Sequence, residues 1–455
     1  MRIKATSIFT VVVATAFLWG CKSSNSEFGP KYKCVDGKAA DMYPCDNVSM
    51  YAHLTAEELG GFEVNDIWGW TDPSTGKEYA LVGLTDGVSF VDISDPNSPV
   101  VVGKLEESNL SAKYKVPSFE EAFPACVLAI GTTERAKTVQ QGSTWRDMKV
   151  FDDHIFVVSD AQPHGVQSFD LTKLRQYDGE MMTFTHDALY EGLANAHNIA
   201  INEQTGFAYA VGVTTAEQCG SRQETGLHII DVNDPKNPTF AGCFFDPDTE
   251  IPNTVNIGTG YIHDTQCVNY EGPDSRYTGK ELCFSSAEGA VVISDVTDKS
   301  DPYTVGFSGQ SEMQYSHQGW LTEDQSYFLM NDEIDEANLG RTTKTYIWDV
   351  QDLEDPQFVG YYSHGTRSID HNLYIKNDLV YQSNYTSGLQ ILEIDNLANA
   401  ELNRVGFFDT QPGLESSGFE FGFNGTWSNY PYFESGVLIL SDIEDGLFIL
   451  QPEVD

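Results

Sequence analysis

Basic residues are scarce in this chain: 26 Lys and Arg stand against 68 Asp and Glu, a formal net charge of −42. Binding nucleic acid needs basic surface that neutralises phosphates, so that class of partner is excluded. Familiar catalytic signatures are missing as well. There is no Gly-x-Ser-x-Gly elbow, no Walker loop and no His-Glu-x-x-His pair. No Cys-x-x-Cys pair occurs, which removes zinc-ribbon and thioredoxin-like readings. Helical periodicity is nearly absent, and the apolar run Ile8 to Leu18 is too short to span a bilayer as a helix.

That short run is informative in another way. Arg2 and Lys4 precede it and Leu18-Trp19-Gly20-Cys21 follows it, the layout of a secretory signal ending in a bacterial lipobox. The expectation is a signal peptide over 1–20 and a diacylated Cys21. A polar tether from Lys22 to Gly29 and a disulfide loop would extend this segment to residue 46. The expected location is exported and membrane-anchored, at the outer membrane or cell surface, with membrane lipid as the partner of Cys21. Eight cysteines in an exported chain read as disulfides once Cys21 is set aside. Position suggests Cys34 with Cys45, Cys219 with Cys243 and Cys267 with Cys283, although spacing alone does not fix connectivity. Cys126 is left over.

Self-similarity carries most of the information in the remainder. One segment type recurs seven times, as in Gly87-Val-Ser-Phe-Val-Asp-Ile, Gly226-Leu-His-Ile-Ile-Asp-Val, Thr345-Tyr-Ile-Trp-Asp-Val and Gly388-Leu-Gln-Ile-Leu-Glu-Ile. Each copy is short, β-branched or aromatic, and bounded by turn formers, which are strand signals. A turn and an apolar-Gly-apolar strand follow several copies, and a strand pair precedes each. Four strands per unit at a spacing of about 50 residues describe a propeller blade. The fold expected over 47–455 is all-β, a seven-bladed β-propeller. The last unit lacks an outer strand, which Val48 to Leu54 would supply by pairing the two chain ends. Residues 106–142 fit no blade and read as an insertion.

The repeat Gly-Leu-x-Ile-Ile-Asp-Val resembles the bacterial LVIVD repeat. Further segments stand outside that strand: Cys34-Val-Asp-Gly-Lys-Ala, Tyr43-Pro-Cys45, Ala161-Gln-Pro-His-Gly, Ala196-His-Asn-Ile and Gly206-Phe-Ala-Tyr-Ala-Val-Gly. Ser316-His-Gln-Gly-Trp-Leu-Thr, Ile369-Asp-His-Asn-Leu and Trp427-Ser-Asn-Tyr-Pro-Tyr-Phe complete the set. On these segments the chain as a whole resembles the choice-of-anchor B family of exported propellers. The resemblance implies fold and surface attachment and leaves activity open.

Four histidines share one place near the start of a blade's first strand: His197, His263, His317 and His371, 54 to 66 residues apart. Because that strand lines a propeller's channel, they are expected to form part of a ring. Aligning the first hairpins of the other blades adds Asp66, Arg146 and Asn429. Converging neutral imidazoles suit a transition metal such as copper, zinc, iron or nickel. Asn198, Asp264, Gln318, Asp370 and Asn372 are placed to orient the rings. A solvated polar channel is the competing account of the same pattern. His164, in Ala161-Gln-Pro-His-Gly, is a candidate for the channel mouth. His154, His186, His228 and His364 lack the register, and His53 falls in the closing strand. The acidic runs Asn331 to Glu336 and Asp152-Asp153 raise calcium as a cofactor, although neither has EF-hand spacing.

These features suggest a monomeric, surface-displayed binding or scaffolding module for an unknown protein or glycan. The alternative is a metal-dependent enzyme, an oxidoreductase among the options, with Arg146 positioning an anionic substrate. A third reading is a calcium-dependent adhesion protein.

Overall fold

The structure is a computed structural model that describes residues 29–108, 142–161, 163–221, 226–249, 260–414 and 422–454. The signal segment, Cys21, Cys126 and all but the ends of the insertion lie outside these residues. Seven of the eight sheets in the described chain are arranged as blades, each built on an antiparallel meander, and the eighth is a two-stranded hairpin. Their innermost strands are Val64–Thr71, Arg146–Phe151, Asn198–Asn202, Asp264–Asn269, Ser316–Leu321, Asn372–Lys376 and Thr426–Tyr430, for blades 1 to 7. Each is followed outward by two antiparallel strands that are almost wholly buried. Glu78–Leu84 and Leu379–Ser383, for example, have every residue buried. Such strands are covered on both faces, so they read as continuous apolar runs and not as alternating ones.

The hydrophobic core lies between blades. Ile67, Val82 and Val91 of blade 1 pack with Ile439 and Ile449 of blade 7, which closes the circle. Blades 5 and 6 meet through Leu329, Ile347, Leu373 and Val380. Val48–Leu54 pairs antiparallel with Gly446–Pro452 as the outer strand of blade 7, so the first and last blade strands of the chain share one sheet.

The recurring sequence segment is the third strand of each blade, and its end residues have local causes. The carboxylates of Asp92, Asp170, Asp231, Asp295 and Asp349 each accept the backbone N–H two residues on; in blades 1, 3, 4 and 5 this forms the turn to the fourth strand, and in blade 2 it caps the short 3-10 helix Leu171–Gln176. Gly388 opens its segment at φ +72°, and a Cβ there would sit 2.1 Å from the Phe408 carbonyl oxygen. Only glycine fits.

All three expected disulfides are present: Cys34–Cys45, Cys219–Cys243 and Cys267–Cys283. The first does more than close a tether loop. Its hairpin, Lys38–Ala39 with Tyr43–Asp46, adds to the edge of blade 6 through Cys45 and Phe408, so the segment before residue 47 is part of the propeller. Blade 1 gains a further strand, Met182–Phe184, parallel to Val100–Glu106. No helix among the described residues is long and apolar enough to cross a membrane. Three disulfides mark the chain as one suited to an oxidising compartment, extracellular or periplasmic.

Candidate functional site

The blade entrances meet at one end of the channel. Strand registers place Asn65, Arg146 and Trp427 at the position held by His197, His263, His317 and His371 in the other blades. Two members of the sequence-based ring therefore need correction. Asp66 stands one residue further along its strand, and Asn429 two residues further. Bulges in blades 1 and 7, between Val64 and Ile67 and between Thr426 and Ser428, shift the count. Asn429 points into the blade interface, where its amide donates to the Tyr381 carbonyl and to Ser383 Oγ.

Arg146 keeps the register but turns away from the axis. Its Nε donates to the Leu84 carbonyl at 3.0 Å, another nitrogen lies 3.0 Å from His164 Nε2, and Glu107 is 3.5 Å away. This fully buried guanidinium joins blades 1 and 2. His164 belongs to the same interface: it is wholly buried and not at the channel mouth. Burial, reinforced by the Arg146 charge, pushes its imidazole down to about 3.

The four histidines form a continuous arc, with ring centroids 4.5, 4.2 and 4.4 Å apart in sequence order. Trp427 extends it, 4.7 Å from His371. Three of the rings are held by the next blade's backbone. His263 Nδ1 lies 2.9 Å from the His317 carbonyl, His317 Nδ1 3.1 Å from the His371 carbonyl, and His371 Nδ1 2.6 Å from the Trp427 carbonyl. A carbonyl oxygen only accepts, so each of these Nδ1 atoms carries the proton, and a neutral ring then leaves its lone pair on Nε2. Burial, with the neighbouring imidazoles, lowers His317 well below the usual range, and burial takes His371 to about 3. Both are neutral at ordinary pH. His197 differs because its Nδ1 lies 2.9 Å from Asp160. Burial alone would lower it, but the Asp160 hydrogen bond and charge outweigh that and raise it.

Sequence reasoning missed the group that completes the site. Glu333, in the turn after Tyr327–Asp332, places Oε2 3.7 Å from His317 Nε2 and Oε1 3.8 Å from His371 Nε2. One ligand atom from each of these three residues lies within 4.8 Å of the others, the single such cluster of at least three among the described residues. Tyr385 Oη donates to Glu333 Oε1 at 2.8 Å. Burial drives the Glu333 carboxyl up to about 7 despite that bond. Glu333 lay hidden inside the run Asn331 to Glu336, for which the sequence raised calcium without offering EF-hand spacing. In that run Asp332 accepts the Gln314 and Tyr315 amides, and Asp335 accepts the Tyr346 hydroxyl. No three of the run's carboxylates gather oxygens within 4.8 Å.

The arc opens onto a cavity of about 830 Å³ with Tyr261, Tyr315, Tyr385 and Trp427 in its walls. Glu63, Asp160 and Glu444 also line it, and among the described residues no Lys or Arg does. Three residues beyond the ring position on each inner strand, a second ring lines the opposite end of the channel. It comprises Trp68, Lys149, Ala200, Gln266, Trp320, Tyr374 and Tyr430. Sequence could have shown it, since Ser316-His-Gln-Gly-Trp-Leu-Thr already contains both positions.

Fold and site together define a seven-bladed propeller with a histidine-lined channel, and the LVIVD repeat is part of it. A family model described as the LVIVD repeat matches residues 76–106, the last three strands of blade 1. No curated protein matches. Among solved structures, the chain is similar to a functionally unknown protein from Desulfotomaculum acetoxidans, at 10% identity and TM-score 0.47, covering 76% of this chain and 90% of that one. A protein from Lactobacillus plantarum gives 10% identity and TM-score 0.46, over 83% of this chain and 88% of that one. The computationally designed Ika8 protein gives 7% identity and TM-score 0.44, over 89% and 99%.

Proposed function

We propose that the channel mouth is a divalent transition-metal site formed by His317, His371 and Glu333. The observation that carries this is the convergence of two backbone-locked, neutral imidazoles and one carboxylate within 4.8 Å. Neutral imidazole with a bare Nε2 is the form a metal requires, and a hydrogen-bonded Nδ1 is how proteins orient such ligands. Two imidazoles and a carboxylate suit iron or zinc far better than calcium, which wants six or more oxygens. Three protein donors leave coordination positions open toward the cavity. A bound ion there would supply a Lewis-acidic centre. Tyr385 fixes Glu333, and the tyrosine and tryptophan walls restrict access. Acidic lining with no Lys or Arg among the described residues favours neutral or cationic molecules, which reverses the anionic substrate expected from Arg146.

Isothermal titration of tag-free protein with zinc or ferrous iron should show one site per chain. His317→Ala, His371→Ala and Glu333→Gln should each weaken it roughly a hundredfold, about 2.7 kcal/mol. Binding below about a tenth of an equivalent, or binding indifferent to all three changes, would refute the site.

We further read the chain as an exported lipoprotein of the choice-of-anchor B type, held at the membrane surface through Cys21. The lipobox Leu18-Trp-Gly-Cys21 and the three disulfides support this. An alkyne-palmitate label should enter the protein in cells and be lost in Cys21→Ser. Equal labelling of both forms would remove the anchor.

A further inference from the structure

At the channel end opposite the histidines lies a second cavity of about 540 Å³. Its two halves differ in chemistry. Blades 1, 5, 6 and 7 contribute an aromatic half in which the Trp68 ring centre lies 5.8 Å from Tyr374 and 5.0 Å from Tyr430, and Trp320 lies 5.0 Å from Tyr374. Blades 2 to 4 contribute a polar half that includes Lys149 and Asp264.

The charges of the polar half do not balance. Lys149 Nζ is 2.6 Å from Asp147 and 4.5 Å from the centre of the Trp68 ring. It is the one ammonium among the described lining residues and is already committed to Asp147. Burial would lower Lys149, but Asp147, Asp66 and Asp264 outweigh that and keep it charged. Asp264 uses one oxygen to accept the Thr265 N–H at 2.6 Å. Its other oxygen has no hydrogen-bond partner among the described residues, and Asp264 lines the cavity.

We propose that this cavity binds a small organic cation with a flat apolar body, the body against the aromatic half and the positive group at Asp264. Lys149 over Trp68 already shows an ammonium seated on this aromatic wall. Cation–π attraction and a charge-assisted hydrogen bond both favour a cationic group over a neutral one of equal shape. Of the lining groups, an anion would face the carboxyls of Glu203 and Asp264; burial raises Asp264 to about 7, and an arriving cation favours its ionised form. This site uses none of the proposed metal ligands and stands independently of them.

Three probes of one shape separate the possibilities: phenethylammonium, phenethyl alcohol and phenylacetate, followed by titration calorimetry or tryptophan fluorescence. The cation should bind about tenfold tighter than the alcohol, and phenylacetate should not bind. Asp264→Asn should weaken the cation about tenfold and leave the alcohol within about twofold. Trp320→Ala should weaken both, and His317→Ala neither. The alcohol or the anion binding as tightly as the cation would overturn the proposal, as would no binding of the cation at millimolar concentration. The three-probe comparison uses only the wild-type protein, so its outcome stands even if a variant fails to fold.

Discussion

The two rims of this channel are built from the same seven strands, three residues apart, yet they differ in kind. At the histidine rim the side chains repeat: four successive blades present imidazole, and three of those rings are fastened to the next blade's carbonyl. At the opposite rim residue types segregate by blade, with Trp68, Trp320, Tyr374 and Tyr430 on one side and Lys149, Ala200 and Gln266 on the other. A repeated residue with a backbone tie aims successive lone pairs at one rim, and two of them, on His317 and His371, meet the Glu333 carboxylate. A segregated ring makes two unlike walls, suited to a ligand with two unlike ends. The comparison also holds within a single register. Arg146 occupies the histidine position in blade 2 but is bound into an interface, so one backbone site serves chemistry in some blades and cohesion in another.

The sharpest way to break that contrast is Arg146→Met. The guanidinium is fully buried and touches the Leu84 carbonyl, His164 and Glu107. Removing it leaves Glu107 facing the interface alone, and burial already pushes that carboxyl up to about 7 with Arg146 opposing the rise. Loss of one partner of a buried pair costs about 3–5 kcal/mol. Urea unfolding should show that loss, while metal affinity per folded chain stays unchanged. A weakened metal site with intact stability would place Arg146 functionally with the histidines after all.

Much of this architecture was legible because the repeat is written in apolar strand segments whose period survives any side-chain detail. The seven third strands and the closing strand Val48–Leu54 follow from the repeat spacing, and the three disulfide pairs were suggested by position in neighbouring strands and loops. The ring was legible only where side chains repeat. His197, His263, His317 and His371 align by eye, whereas Asn65 and Trp427 share no chemistry with them, and bulges offset Asp66 and Asn429 from the true register. Glu333 and Tyr385 were invisible for a different reason. They sit in turns whose direction depends on tertiary contacts, such as Asp332 accepting the Gln314 and Tyr315 amides from the preceding loop. No period predicts where such a turn delivers a carboxylate.

A smaller effect separates histidines of the channel from those packed between blades. His228 lies in the third strand of blade 3, fully buried, with Nε2 2.7 Å from the Tyr190 hydroxyl. Burial lowers it to about 4, below the roughly 6.5 of an unfolded histidine. The unfolded chain therefore binds more protons between those values, so stability falls as the pH drops from about 6.5 toward 4. The full shift corresponds to about 3 kcal/mol. His228→Asn removes the titrating group and retains a hydrogen-bonding side chain near Tyr190. Its unfolding free energy should decline less than that of the wild type over this acid range, while metal affinity at pH 7 stays the same. Parallel pH profiles for the two proteins would show that His228 accepts a proton in the folded state, and the distinction between packed and channel histidines would then fail.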